Sequence, residues 1–498
     1  MEVKEKNVVL LGMASVKKAI SLLTVLAVLT GLLLSCASGA QGSTPGRNAK
    51  EVTGYDVVII GGGGTGLTAA LVAADAGSKV LLLEKMGFLG GATVLASGFI
   101  PASQTKQQSD AGIVDTPEAL ARDIFRPGMY EQNYDLVMRI ARGAKDYIEW
   151  STAKGVKWSL QTNVLYYGQS NYRIHESTGM GKGIVDALEA SIKNNNNITV
   201  MLETAGTGLW TDSTGAVIGC MAKNKNEELA IRARSVVLGT SGFAANKEMV
   251  RKYIPVMEHA IPYYAPGATG EGILWGMALG AAVKHMDAYQ AYGACSSKTK
   301  KGIGQGIINA GGILLNKDSA RFMMEITGYS ELGAQIVSQP GYNAWMIWDS
   351  GVAAVSQNTM NTLKEGAALF EAPTPEELAR AIGLDENKVK AEIDKYRDGI
   401  AKGEDYMNRT KLPKSFNAPF YACQVTGDFR HTQGGLVVNE NSQVVKEDGT
   451  LIPNLYAGGG VTEGFSSAGG AGYMSGNGLL QAFVLGHIAG QSAAKNAK

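Results

Sequence analysis

The stretch Tyr55–Ala70, YDVVIIGGGGTGLTAA, constrains this chain more than any other part of it. A β-branched run, Asp56–Ile60, enters a glycine cluster and leaves it as an Ala/Leu-rich helical segment. Gly61, Gly63 and Gly66 therefore form G-x-G-x-x-G at a strand-to-helix turn. The first glycine permits the tight turn and the second lets backbone approach a pyrophosphate. The third lets helix lie close on strand, while the helix N-terminus offers N–H groups to phosphate. The next run, KVLLLEK, reads as a second strand. Glu84 closes it eighteen residues after Gly66, where a carboxylate can hold ribose hydroxyls. This is β-α-β with almost no loop, the unit of a parallel sheet with a right-handed crossover. A glycine-rich turn without a ligand is disfavoured by so complete a context. The motif alone does not separate NAD from FAD.

Further strand-like runs follow in NITVMLETA, AVIGCMAKN and ARSVVLGTSGF. From about Met286 to Phe416 the texture changes to charged helical segments such as TPEELARAIGLDENKVKAEIDKYRDGIAKG, in which Thr374 with Glu376 and Glu377 marks a helix start. The C-terminal part returns to glycine-rich α/β sequence. The expected organisation is a nucleotide-binding domain, 54–287 and 432–498, interrupted by a second domain at 288–431.

The first 36 residues read as a targeting segment. Lys17 and Lys18 precede the apolar run AISLLTVLAVLTGLLLSC, and Leu-Leu-Ser-Cys resembles a bacterial lipoprotein signal with Cys36 as the lipidated residue. Residues 37–53 read as a flexible tether. The rival is a membrane-spanning anchor, since roughly 18 apolar residues can cross a bilayer. Both place the folded part outside the cytoplasm, as an extracytoplasmic, membrane-anchored protein, periplasmic or at the cell surface.

With 46 basic and 45 acidic side chains the net charge is +1, so nothing points to nucleic acid. The five histidines and four cysteines have no metal-ligand spacing, and no C-x-x-C-H haem site occurs, so no metal is expected. Cys220, Cys295 and Cys423 are expected to be small buried hydrophobes.

Three blocks in order, EKMGFLGGATVLASGF, VVLGTSGFAAN and LYAGGGVTEG, resemble the segments around FAD in the fumarate reductase/succinate dehydrogenase flavoprotein family, especially its soluble extracytoplasmic fumarate and urocanate reductase branch. The likeness runs from about Tyr55 to the C-terminus. It implies an α/β fold, a Rossmann-like FAD-binding domain with an inserted α+β capping domain. It also implies FAD, held noncovalently because GGATVLASGF contains no histidine for attachment. The implied cofactor contacts are Gly61, Gly63, Gly64, Thr65, Gly66, Glu84 and Lys85 in the first block. Gly90, Gly91, Ala92, Thr93, Ser97 and Gly98 follow, then Ala205, Thr240, Ser241, Gly242 and Gly270. Gly459, Gly460, Asn477, Gly478, Leu479 and Leu480 complete the set. Gly460 replaces the family's usual glutamate and Ala92 a common asparagine, each a loss of about 1 kcal/mol in an ordinary case.

In the family's fumarate reductases an arginine delivers the proton, and further His and Arg residues clamp two carboxylates. DFRHTQGG matches the family's HHTMGG-like segment, which assigns His431 and Thr432 to the substrate. The acid arginine falls on Tyr329, one clamp arginine on Tyr473, a clamp histidine on Tyr292, and the proton-relay positions on Gln305 and Ile308. His175 aligns near the flavin and reads as structural. Phenols cannot replace the bidentate cations that buried dicarboxylates need. They can hydrogen-bond a ketone, an ester or a single carboxylate, or donate a proton. The expectation is an FAD-dependent oxidoreductase acting on CH–CH bonds, in which flavin N5 delivers hydride to an activated C=C of an enone or unsaturated acid that is not a dicarboxylate. Tyr329 would give the proton, while His431, Thr432, Tyr292 and Tyr473 orient the substrate. A small unsaturated molecule is the expected substrate and a separate flavin or haem protein the expected electron donor. Two alternatives stay open: a ketone-directed dehydrogenase resembling the ketosteroid enzymes, and a non-catalytic lipoprotein that binds flavin or shuttles electrons.

Overall fold

The computed structural model describes residues 44–129, 131–303 and 305–498. The expected targeting segment, with Cys36, lies outside the described residues. Val57–Ile60, VVII, and Val80–Leu83, VLLL, are fully buried and pair in parallel, as continuous β-branched and leucine runs do when both sheet faces are covered. They sit within a six-stranded sheet. Its order is Gln443–Val445, Leu451–Ala457, Ser235–Leu238, Val57–Ile60, Val80–Leu83, Ile198–Met201, parallel except for the Gln443–Val445 edge. This is the α/β fold that the sequence implies.

On one face the helices Gly64–Asp75, Tyr134–Ala153, Met180–Lys193 and Asn477–Asn496 bury a large apolar cluster around Leu67, Val137, Leu188 and Phe483. The other face is covered by a four-stranded sheet of Ala205–Thr211, Val217–Lys223, Glu228–Arg232 and Lys50–Val52. That last strand corrects the expected tether. Lys50–Val52 pairs in parallel with Leu229–Ile231, because an edge strand with open N–H and C=O groups accepts a further partner.

The inserted segment carries its own sheet, built on the long strand Phe420–Thr432. Tyr289–Ser296, Ala344–Asp349 and Phe370–Ala372 pair with it antiparallel and Ile261–Pro262 pairs in parallel, while Ile313–Leu315 pairs with Ala344–Asp349. Two apolar clusters lie on this sheet, one around Leu332, Met346 and Trp348, the other around Val389, Ile393 and Phe420. The charged stretch after Ala372 is two helices, Pro375–Ile382 and Glu386–Lys402, separated at Gly383. Thr374 and Asp385 cap them by accepting N–H bonds from Glu377 and Lys388, which explains the break. Thr44–Lys498 nonetheless packs as one compact unit. Cys220, Cys295 and Cys423 are buried and unpaired.

Candidate active site

A cleft of about 530 Å³ runs from the glycine turn to the inserted sheet. Its size suits a bulky organic ligand. Near the glycine turn it is lined by Gly61, Gly63, Gly64, Thr65, Glu84, Lys85, Gly91, Ala92, Thr93, Ser97, Thr240 and Ser241, with Gly460, Gly478 and Leu479 further along. The phosphate turn is tightly drawn. A Cβ on Gly66 would strike the Gly61 carbonyl oxygen, and Gly61 itself has φ +106°. Glu84 braces the turn, accepting N–H bonds from Gly62 at 2.8 Å and from Met86 at 2.7 Å. Each carboxylate oxygen keeps a further lone pair for a ribose hydroxyl. Thr93 accepts from Gly64 N–H at 3.2 Å, and Thr65 donates to the Ala482 carbonyl at 3.0 Å. Lys85 is held by Glu271 at 2.8 Å and Thr269 at 2.7 Å. The Thr240 hydroxyl is turned away from the cleft against Gly272, where a Cβ would strike it, and the helix bearing Gly272 thus also packs closely on the cleft wall. A second helix N-terminus, at Asn477, also opens on the cleft through Gly476 and Gly478. The glycine cradle, the free lone pairs of Glu84 and the two helix ends fit FAD.

Other expected contacts stand off the lining. Gly66 packs helix on turn. Gly90 and Gly98 have positive φ and abut Val94 and Ser177 respectively. A Cβ on Gly242 would meet the Thr432 hydroxyl, on Gly270 Met249 and Phe243, on Gly459 Thr65. These positions need glycine for packing. Ala205 points away because strand alternation gives Thr204 and Gly206 to the cleft instead. Asn477 and Leu480 are buried, the amide on Ser466 and the leucine in the helical core.

At the other end Tyr292, Tyr329 and Tyr473 converge with His431 and Thr432. Ring centroids are 5.6 Å apart for Tyr292–Tyr329, 6.1 Å for Tyr329–Tyr473 and 5.5 Å for His431–Tyr473. Tyr329 opens the helix Tyr329–Val337, and its hydroxyl is 3.3 Å from Ser475 Oγ. The Tyr473 hydroxyl accepts the Gly478 N–H at 3.3 Å, leaving its own proton to donate. Burial pushes the Tyr329 hydroxyl well above the ordinary phenol range and Tyr473 up to about 12, so both stay protonated at neutral pH. Burial also lowers His431 to about 4, with the charge of Arg430 adding to the effect, so the ring is neutral. Thr432 Oγ1 accepts from Phe243 N–H at 3.2 Å and thereby pins the TSGF turn to the cleft. Gln305 lines the cleft and donates to the Thr327 carbonyl, whereas Ile308 lies in the inserted core. His175 is wholly buried between Thr105 Oγ1 and the Arg173 carbonyl, away from the lining.

The sequence reading left this end without a guanidinium, and that is corrected by Arg430, which lines the cleft beside His431. Phe99, Tyr166, Tyr263, Gln290, Gln433 and Ser475 line it too and were also missed. Strand alternation from His431 would have turned Arg430 away from the cleft, but a register shift in the pair with Tyr289–Ser296 lets Arg430, His431 and Thr432 all line it. The others come from dispersed segments with no common local pattern.

The cleft defines a dinucleotide-type flavoprotein whose cavity continues under an inserted sheet. Residues 56–479 match the FAD binding domain family model. The chain is 32% identical over 453 residues to the cytochrome-type fumarate reductase of Shewanella frigidimarina, covering 89% of this chain and 77% of that one. It is 30% identical over 481 residues to the urocanate reductase of Eggerthella lenta (92% and 79% covered), and 25% over 482 to the vinyl phenol reductase of Lactiplantibacillus plantarum (89% and 96%). An open flavocytochrome c3 fumarate reductase structure superposes with TM-score 0.76 at 28% identity, covering 91% of this chain and 79% of the other. The chain belongs to the fumarate reductase family of FAD flavoproteins. Its cofactor is FAD, and it is an FAD-dependent reductase that draws on an electron carrier.

Proposed function

We propose that this reductase saturates the activated C=C of an enone or an unsaturated acid that is not a dicarboxylate. The observation that carries the reading is the convergence of three protonated tyrosines with a neutral histidine at the substrate end of the cleft. Bound FAD, once reduced, supplies the hydride to the electron-poor alkene carbon. Tyr329 gives its hydroxyl proton to the neighbouring carbon, completing the CH–CH bond, and recovers a proton from solvent. His431, Tyr473 and Tyr292 donate hydrogen bonds to the activating oxygen, on which negative charge accumulates. Thr432 supports them from behind. The cofactor is held noncovalently by the contacts above. The urocanate and vinyl phenol relatives, neither named for a dicarboxylate, support a substrate outside that class, and urocanate is itself an unsaturated acid.

The electrons are supplied by a separate flavin or haem protein that meets the chain outside the cytoplasm, where lipid at Cys36 holds it to a membrane. The Leu-Leu-Ser-Cys sequence supports that placement. Replacing Cys36 by Ala releases the protein from the membrane fraction; retention of the variant would refute the lipid anchor.

The test of the reaction is anaerobic. Reduced holoenzyme is mixed with benzalacetone, crotonate or fumarate, and flavin reoxidation is followed. Benzalacetone or crotonate is expected to outpace fumarate by at least about 10-fold. Fastest turnover with fumarate would refute the pocket assignment. No alkene faster than oxygen would refute the reductase.

A further inference from the structure

The cleft's cations are unevenly placed. Among the described lining residues only Lys85 and Arg430 carry a permanent positive charge. Lys85 is committed to Glu271 and Thr269 at the glycine-turn end. Arg430 is thus the one guanidinium at the phenol end. It is rigidly held. Nε and Nη2 donate to the two oxygens of Asp428 at 3.0 and 2.9 Å. The guanidinium carbon lies 4.5 Å from the ring centroids of both Tyr263 and Tyr292. Sequence explains the cluster. Asp428 and Arg430 are two apart on one strand and so share a face, and Tyr292 is the register partner of Asp428 across the antiparallel pair. Asp428 is buried behind the lining, so the carboxylate orients the guanidinium without itself entering the cleft. Of five N–H donors two are spent on Asp428, and among the described residues the guanidinium makes no other hydrogen bond.

We propose that Arg430 is the anion anchor of this chamber, and that its substrates are flat, aromatic, singly charged unsaturated acids of the arylacrylate type. The inference rests on the reductase reading above and narrows its substrate class. One oriented guanidinium matches one carboxylate, and no second cation at this end matches another. The rings of Tyr263, Tyr292, Tyr329 and Tyr473 offer faces and edges to a planar apolar remainder. A carboxylate bound at Arg430 is also the activating group of the alkene, so binding and activation use the same contact.

The experiment compares cinnamate with methyl cinnamate, which differ in charge at one group. Each is titrated into oxidised holoenzyme, with the flavin absorption spectrum as readout, and each is then given to reduced holoenzyme. In the unmodified protein cinnamate is expected to bind at least about 10-fold more tightly than its ester. Arg430→Gln should weaken cinnamate about 30-fold and change the ester less than about 3-fold, and Arg430→Lys should fall between. Because Arg430→Gln strands the buried Asp428 carboxylate, the pair Arg430→Gln/Asp428→Asn is measured alongside it and should show the same loss of acid preference. Equal affinity for acid and ester in the unmodified protein, or equal loss of both in the variants, would overturn the anchor. If neither compound reoxidises reduced enzyme although cinnamate is preferred in binding, the reductase reading falls and the anchor stands.

Discussion

The amide nitrogen of Gln433 stands 3.1 Å from Nδ1 of His431, and Ser466 Oγ donates to the Gln433 carbonyl oxygen at 2.9 Å. Asn477 in turn donates to Ser466 at 3.4 Å. With the amides so oriented Gln433 donates to Nδ1, and the imidazole then carries its proton on Nε2. The 3.3 Å approach of Nδ1 to the Thr432 carbonyl calls for the opposite tautomer, so the Gln433 amide and the Thr432 carbonyl compete for Nδ1.

Replacing Gln433 by Met removes that donor while keeping the volume. Turnover is expected to fall about 10-fold with flavin content unchanged, as for loss of one oriented hydrogen bond in a site. Steady-state rates beside flavin absorbance check it. An unchanged rate would mean that the tautomer is immaterial.

Tyr329→Phe deletes one hydroxyl and little packing. Loss of the proton donor predicts a fall in kcat of about 10²- to 10⁴-fold, with substrate affinity and Tm nearly unchanged. Rapid-mixing kinetics with equilibrium titration separates the two quantities.

Gly66→Ala places a Cβ against the Gly61 carbonyl oxygen, a backbone atom that cannot swing aside. The variant should purify with little or no FAD and unfold at lower temperature than the unmodified protein. Flavin content and a thermal melt measure both.

His175 has no exposed surface, and burial lowers it to about 4 against an ordinary value of 6.5. The unfolded chain therefore binds more protons between those values, and the stability that neutral His175 confers is complete above pH 6.5. It is lost as pH falls toward 4, by about 3 kcal/mol at most. Melting temperature measured from pH 7 to 4 should decline, and His175→Gln should flatten that decline.

The parallel sheet was legible because Val57–Ile60 and Val80–Leu83 are continuous apolar runs bracketing a glycine turn. Gly61, Gly63 and Glu84 could be placed on the cleft from spacing alone. Gly242 and Gly270 stand off the lining and are crowded by Thr432 and by Met249 and Phe243, and a glycine demanded by packing has the same sequence signature as one demanded by a ligand. Lys50–Val52 was hidden in a polar stretch whose strand exists only through pairing with Leu229–Ile231. The phenol end was partly legible from the motif around His431. Arg430 escaped because its role depends on a facing strand, through Tyr292, and on Tyr263 from a third segment.

Glu84 holds the amides of Gly62 and Met86 with its own two oxygens, so the nucleotide-facing loop has an internal scaffold. Stripping the flavin should then leave a shaped vacancy instead of a collapsed one. Such a protein is a natural host for exchange: apoprotein refilled with flavin analogues of graded redox potential would let the driving force of the reaction be varied while the walls stay constant.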